Sequence, residues 1–226
     1  MKDTKTHLLK TSARLFAKKG YAGTSVREIV RQARVNVSAI SYHFGDKRTL
    51  YLETIKYLLT TNRKYIFGGN KPLPAPQDVD NLSVSQMWEA LRSIVERVLE
   101  MKFARYNLPL ERIYTYVELE DSKEMLSSLL SYTDPLKDLL SRMCAKLTGV
   151  AEDSPKMILL INSIFWQVNL SECDRFMLLY GLGKSKYTKD PLPLFKQMIW
   201  QNVQSILKSY QEEFLHEKKS VTATAR

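Results

Sequence analysis

The stretch Ser25-Val26-Arg27-Glu28-Ile29-Val30-Arg31-Gln32-Ala33-Arg34-Val35-Asn36-Val37-Ser38-Ala39-Ile40-Ser41-Tyr42-His43-Phe44 decides how this chain is read. Ser25 followed three residues later by Glu28 is a capping box, in which the seryl oxygen accepts from the third helical N–H and the glutamate reaches back to the N–H of the cap. A short helix therefore starts at Val26, with Val26, Ile29, Val30 and Ala33 on its apolar side. About a turn beyond its end Asn36 offers a second cap, and a further short helix, Val37 to Phe44, buries Ile40 and Phe44 four residues apart. Two short helices joined so tightly read as a helix-turn-helix. The burial of Ile40 and Phe44 leaves Val37, Ser38, Ser41, Tyr42 and part of His43 facing outward. Small polar side chains near a helix start let the backbone approach the major groove, where hydroxyls meet base edges and Val37 meets a thymine methyl.

The flanking segments extend the same module. Thr4 to Lys19 places Leu8, Ser12, Leu15 and Phe16 on one helix face and stops at Gly20, a residue suited to a helix C-terminus. Lys18 and Lys19 read as its solvated end. On the other side Asp46-Lys47-Arg48 opens a helix that runs to Phe67. The free N–H groups of its first turn favour a phosphate, and Lys47 adds a full charge there.

Charge is distributed to match. Of a formal net charge of +10, residues 1–64 carry 14 Lys and Arg against 4 Asp and Glu, while residues 65–226 carry 20 against 20. The whole basic excess thus coincides with the helix-turn-helix, the electrostatic footprint of a nucleic-acid binder. A 44% hydrophobic content is that of a globular protein with a proper core. Cys144 and Cys173 lie far apart without Cys-x-x-Cys spacing, which excludes a zinc motif and a disulfide framework and makes them reduced core residues. No metal site or cofactor is implied. The polar start Met1-Lys2-Asp3-Thr4-Lys5 is unlike a signal peptide. The longest apolar run, Met157 to Ile161, is far short of the roughly 20 residues a membrane span needs. A cytoplasmic protein is expected.

Strand signals are scarce, and apolar residues recur at three- and four-residue spacing through most of the chain, so the fold is all-α. After 71 proline-free residues, Pro72, Pro74 and Pro76 mark a loop with Gly68 and Gly69. Helices are expected over Ser83 to Arg105, Leu108 to Tyr132, Pro135 to Leu147, Ser154 to Tyr180 and Pro191 to Glu217, with Pro109, Pro135 and Pro155 in first turns. A lysine-rich loop follows Gly181, and the tail beyond Lys218 is expected to be disordered. The organisation is then a helix-turn-helix DNA-binding domain over 1–50, a larger helical effector-binding and dimerisation domain over 51–218, and a tail over 219–226.

Leu8-Leu9, Leu15-Phe16-Ala17, Gly20-Tyr21, Gly23-Thr24-Ser25-Val26-Arg27-Glu28-Ile29, Val37 to Phe44 and Lys47-Arg48-Thr49-Leu50 together resemble the N-terminal signature of TetR-type repressors. Roughly fifty residues match in order and spacing. The resemblance implies that Thr24, Arg27, Asn36, Ser38, Tyr42, His43 and Lys47 touch phosphates or bases. Two positions depart from the pattern. Arg34 stands where a turn glycine is usual, so either the turn differs locally or Arg34 compensates by reaching a phosphate. Ser41 stands where a bulky aromatic is common, so base preference cannot be borrowed from relatives.

The resemblance further implies a homodimer that binds a pseudo-palindromic double-stranded DNA operator and is released by a small-molecule effector, the long helix from Asp46 transmitting the change. Candidate effector-pocket residues are Trp88, Phe103, Arg105, Tyr114, Phe165, Trp166, Gln167 and Asn169, an apolar set with a few polar groups. Ile158, Ile161, Phe165, Phe195, Met198, Ile199, Val203, Ile206 and Leu207 form apolar faces that fit either a dimeric four-helix interface or a bundle within one chain. A DNA-binding regulator controlled by a protein partner, with no small-molecule ligand, would have much the same sequence. An enzyme is not indicated. A phosphate loop, His-Glu-x-x-His, Gly-x-Ser-x-Gly and Gly-x-Gly-x-x-Gly are all absent, and Tyr180 and Lys184 share a Tyr-x-x-x-Lys spacing by chance.

Overall fold

The computed structural model describes residues 4–68, 71–103, 108–119, 123–168, 172–184 and 191–224. Ten α-helices account for most of them, and no strand occurs among the described residues. They divide into two compact units, one of Met1–Tyr65 with Ala104–Tyr132, the other of Ile66–Phe103 with Thr133–Arg226.

The first unit is built on α1 (Thr4–Lys19), α2 (Val26–Ala33), α3 (Ser38–Phe44), most of α4 (Lys47–Phe67) and α6 (Leu108–Leu119). Helix α1 buries Leu8, Leu15 and Phe16 and ends at Gly20, whose N–H donates to the Phe16 carbonyl at 2.8 Å. Gly20 has φ +70°, and a Cβ there would sit 3.0 Å from the Tyr116 ring, so both backbone and packing require glycine. Ile29, Ile40, Leu50, Tyr51 and Ile55 close over α1, and Leu110, Ile113 and Val117 of α6 complete the core. This unit therefore reaches well beyond residue 50. Its α6 follows α5 (Val84–Phe103) in the chain, so periodicity alone gives no sign that it packs against α1.

The second unit holds α5 (Val84–Phe103), most of α7 (Lys123–Thr148), α8 (Pro155–Val168), α9 (Glu172–Gly181) and α10 (Leu192–Thr224), with a short 3-10 helix over Pro76–Asn81. Leu91, Val95 and Leu99 of α5 share a core with Leu139 and Met143 of α7, Met157, Leu160 and Ile164 of α8, and Val203 and Leu207 of α10. Cys144 lies in it as a free thiol, and burial pushes its pKa up to about 12, which leaves it unreactive. The side chain of Cys173 lies outside the described residues. Arg97 ties the loop after α4 to α5, its guanidinium donating to the carbonyls of Ile66 at 2.6 Å, Gly68 at 2.8 Å and Lys71. These carbonyls include orphans of the α4 C-terminus, which a cation suits.

Several helix limits differ from those expected. Pro135 lies inside α7 rather than in a first turn, at the cost of one ladder hydrogen bond, because α7 starts earlier, at Lys123. The expected helix over Leu108 to Tyr132 is replaced by α6 and the start of α7, and that over Ser154 to Tyr180 by α8 and α9. Helix α10 continues to Thr224, where an unstructured tail was expected beyond Lys218.

Candidate nucleic-acid interface

The turn between α2 and α3 sets the reading helix. The Ser25 Oγ accepts from the Glu28 N–H at 3.2 Å, as a cap should. Glu28, expected to return to the cap N–H, instead takes Lys19 Nζ at 2.6 Å, and this bond holds its carboxyl below the usual range. A full charge outcompetes a backbone N–H for the carboxylate. Arg34 closes α2 with φ 54° and ψ 46°, and its N–H and that of Val35 donate to Arg31 and Val30 carbonyls at 3.3 and 3.1 Å. The turn therefore keeps the left-handed geometry that a glycine would take, and the alternative of a locally different turn is set aside. Asn36 Oδ1 then accepts from the Ser38 N–H at 3.0 Å and starts α3.

With Ile40 and Phe44 buried, α3 turns Ser38, Ser41 and Tyr42 outward, and Val37, Asn36 and Arg27 are exposed beside them. Tyr42 is 84% exposed and Val37 54%, unusual for such side chains unless a partner meets them. His43 is half-buried, its ring edge-on to Tyr42 at 4.8 Å. At the start of α4 the Asp46 carboxylate accepts the Thr49 N–H at 2.7 Å, which lowers its pKa. Lys47 is half-buried with its Nζ 4.2 Å from the centre of the Tyr21 ring.

Thr24 is corrected. It is 1% exposed, its hydroxyl donates to the Gly20 carbonyl at 2.8 Å and its N–H to that of Tyr21 at 3.3 Å, so it packs the α1–α2 corner rather than facing a ligand. Tyr21 is the residue that sequence reasoning passed over. Its ring lies 5.1 Å from Tyr51, which meets Phe16 edge to face at 4.7 Å, so a run of aromatic contacts links the core to the Lys47 ammonium. An aromatic directly after a helix-ending glycine was the available signal.

The expected effector-pocket residues that are described fall in both units. Tyr114 belongs to the first unit, where it packs on that core and burial raises its pKa. Trp166 is 68% exposed on α8. Both are corrections, caused by helix faces whose inward side cannot be assigned before the packing partner is known. Trp88 meets Trp200 edge-on at 5.9 Å, Phe103 lies 6.0 Å from Phe195, Phe165 packs on the second core, and Gln167 donates to the Ser163 carbonyl at 3.3 Å. Arg105 and Asn169 lie outside the described residues. An open cavity of about 220 Å³ is lined instead by Thr148, Gly149 and Val150, with Lys156, Tyr210 and Phe214. Among the described residues no group of His, Cys, Asp or Glu could hold a metal ion, and no helix is long and apolar enough to cross a membrane.

A polar, exposed short helix set by a tight turn on an all-helical chain defines a helix-turn-helix DNA-binding regulator. Residues 8–54 match the family described as bacterial regulatory proteins, tetR family. The uncharacterised HTH-type transcriptional regulator YerO of Bacillus subtilis is 22% identical over 91% of this chain and 77% of its own length. The negative regulator of the biofilm operon icaADBC in Staphylococcus aureus, IcaR, is 24% identical over 76% of this chain and 87% of its own. Among solved structures, AibR in complex with isovaleryl coenzyme A and operator DNA shares the fold with a TM-score of 0.57 at 16% identity, covering 87% of this chain and 96% of that one. Residues 8–54 thus match the DNA-binding module of the TetR family, and the relatives that this chain resembles are transcriptional regulators.

Proposed function

We propose that the chain is a repressor that binds a pseudo-palindromic operator as a homodimer and is released by a small-molecule effector. The observation that carries the reading is the outward face of α3, where Val37, Ser38, Ser41 and Tyr42 stand exposed between Arg27 and Lys47. In this reading Arg27, Tyr42, His43 and Lys47 hold phosphates, while Val37, Ser38 and Ser41 meet base edges and Asn36 supports them. Residues 1–50 read DNA and residues 51–218 bind effector and partner. Two-fold symmetry then presents two α3 helices to successive major-groove faces.

Negative regulation by IcaR and the complex of AibR with isovaleryl coenzyme A and operator DNA support this reading by analogy. Trp88, Phe103, Phe165 and Gln167, all in the second unit, remain the candidate effector contacts. Because α4 runs from Lys47 to the carbonyls held by Arg97, a ligand in the second unit has a continuous helix through which to bias the DNA module. A tenfold release needs only about 1.4 kcal/mol of differential binding between two states. The test is selection of duplexes from a randomised library followed by titration at several salt concentrations. Enrichment of an inverted repeat with a steep salt dependence is expected. Retention of random DNA without an inverted repeat would overturn the operator reading.

A further inference from the structure

Asn36 holds Ser38 in a single hydrogen-bonding polarity. The Ser38 N–H lies 3.0 Å from Asn36 Oδ1, and since a backbone N–H only donates, the amide must present its oxygen there. The Ser38 Oγ lies 3.0 Å from that same oxygen. A carbonyl oxygen only accepts, so the one hydroxyl proton points at Asn36. Two lone pairs are what Ser38 has left, and the residue is exposed on the same face of α3 as Ser41 and Tyr42, three and four positions on.

We infer that Ser38 reads DNA as an obligate acceptor, selecting the exocyclic amino group of adenine or cytosine in the major groove, and that Asn36 sets this polarity. The inference rests on the DNA-binding reading above. Amino groups at adenine N6 and cytosine N4 are the donors that the major groove offers, whereas guanine O6 and thymine O4 are acceptors. A lone pair set against a keto oxygen leaves both unpaired in a desolvated interface, which is what rejects the wrong base.

Selection from a randomised duplex library with the wild-type protein and with Ser38→Ala tests it. At one position per half-site the wild type should favour adenine or cytosine on a fixed strand by about fivefold, the worth of one neutral hydrogen bond. Ser38→Ala should lose that preference alone. Asn36→Ala should free the proton and weaken the preference, and Asn36→Asp, which keeps the accepting oxygen, should retain it. With the wild-type protein, purine in place of the selected adenine, or 2-pyrimidinone in place of the selected cytosine, should cost the same fivefold. An Asn36→Ala preference equal to that of the wild type would overturn the inference, as would a cost-free loss of the amino group. If the wild type enriches no sequence, the DNA-binding reading fails and the inference with it. If it enriches a site that Ser38→Ala enriches unchanged, the inference fails alone.

Discussion

Helices α3 and α8 bury their inner rows in the same way and expose opposite outer rows. On α3, behind buried Ile40 and Phe44, the exposed residues are two serines and Tyr42, with Lys47 close by in sequence. On α8, behind Met157, Leu160, Ile161 and Ile164, they include Ile158 at 58%, Leu159 at 64% and Trp166 at 68%. On α10 Leu194 and Met198 are likewise exposed while Ile199, Val203 and Leu207 are buried. A polyanion is met by hydroxyls and cations, whereas an apolar stripe is stable only when another apolar surface covers it. The inner row of a helix therefore tells of its own core, and the outer row tells of the partner. The apolar residues of α8 and α10 serve two faces, so a bundle within the chain and a dimer interface are both compatible with them.

The largest expected effect breaks the α8 side of this comparison. Ile158→Asp combined with Leu159→Asp changes two exposed residues and should leave the helical content intact, but convert the proposed homodimer to a monomer in sedimentation. Affinity for an inverted repeat should fall about a hundredfold with the loss of bivalency, while affinity for an isolated half-site stays the same. A wild-type monomer that binds the repeat tightly would show that the exposed stripe serves something other than a second copy.

What was legible in the sequence follows from how far each signal reaches. The caps at Ser25 and Asn36, the stop at Gly20 and the buried pair Ile40 and Phe44 are set by neighbours within a few residues, and the sequence displays them directly. The DNA contact that the resemblance implies for Thr24 is not met, because its hydroxyl is taken up by Leu15 and Gly20 carbonyls that the fold turns toward it. Tyr114 looked like a pocket residue because nothing local says that α6 packs on α1. Trp166 and Phe165 are adjacent on one helix, and periodicity cannot tell which of two broad apolar faces is the covered one. Pro135 reads as a helix start because a proline inside a helix costs a hydrogen bond, yet α7 runs through it.

A smaller effect sharpens the α3 side. Lys47→Ala should weaken binding to all sequences by about tenfold, the worth of a charged contact. It should also lower the salt slope by about one, since one phosphate charge is lost. A change in base preference instead would remove Lys47 from the phosphate role. Tyr21→Leu should cost about threefold by removing the ring face that holds the ammonium, a cation–π contact worth roughly 0.5–1 kcal/mol when exposed. Tyr21→Phe should restore binding. In the double variant the Tyr21→Leu cost should vanish, because no ammonium remains to be placed. A cost that persists there would mean that Tyr21 acts through the Tyr51 and Phe16 core rather than through Lys47.

The smallest effect concerns Arg34, the one non-glycine with positive φ among the described residues. A left-handed backbone costs an L-residue roughly 1–2 kcal/mol, and replacement by glycine removes that cost while adding about 0.5–1 kcal/mol of unfolded-state entropy. Arg34→Gly should therefore be more stable by about 0.5 kcal/mol, read as a shift of the urea midpoint at constant slope. Its DNA affinity separates two reasons for tolerating the strain. If the exposed guanidinium reaches a phosphate, the glycine variant gains stability, loses about threefold in affinity and shows a lower salt slope, with strain retained at the site where it is used. Unchanged affinity and slope would show that the strain serves no contact with DNA, and would take Arg34 out of the cationic flank of α3.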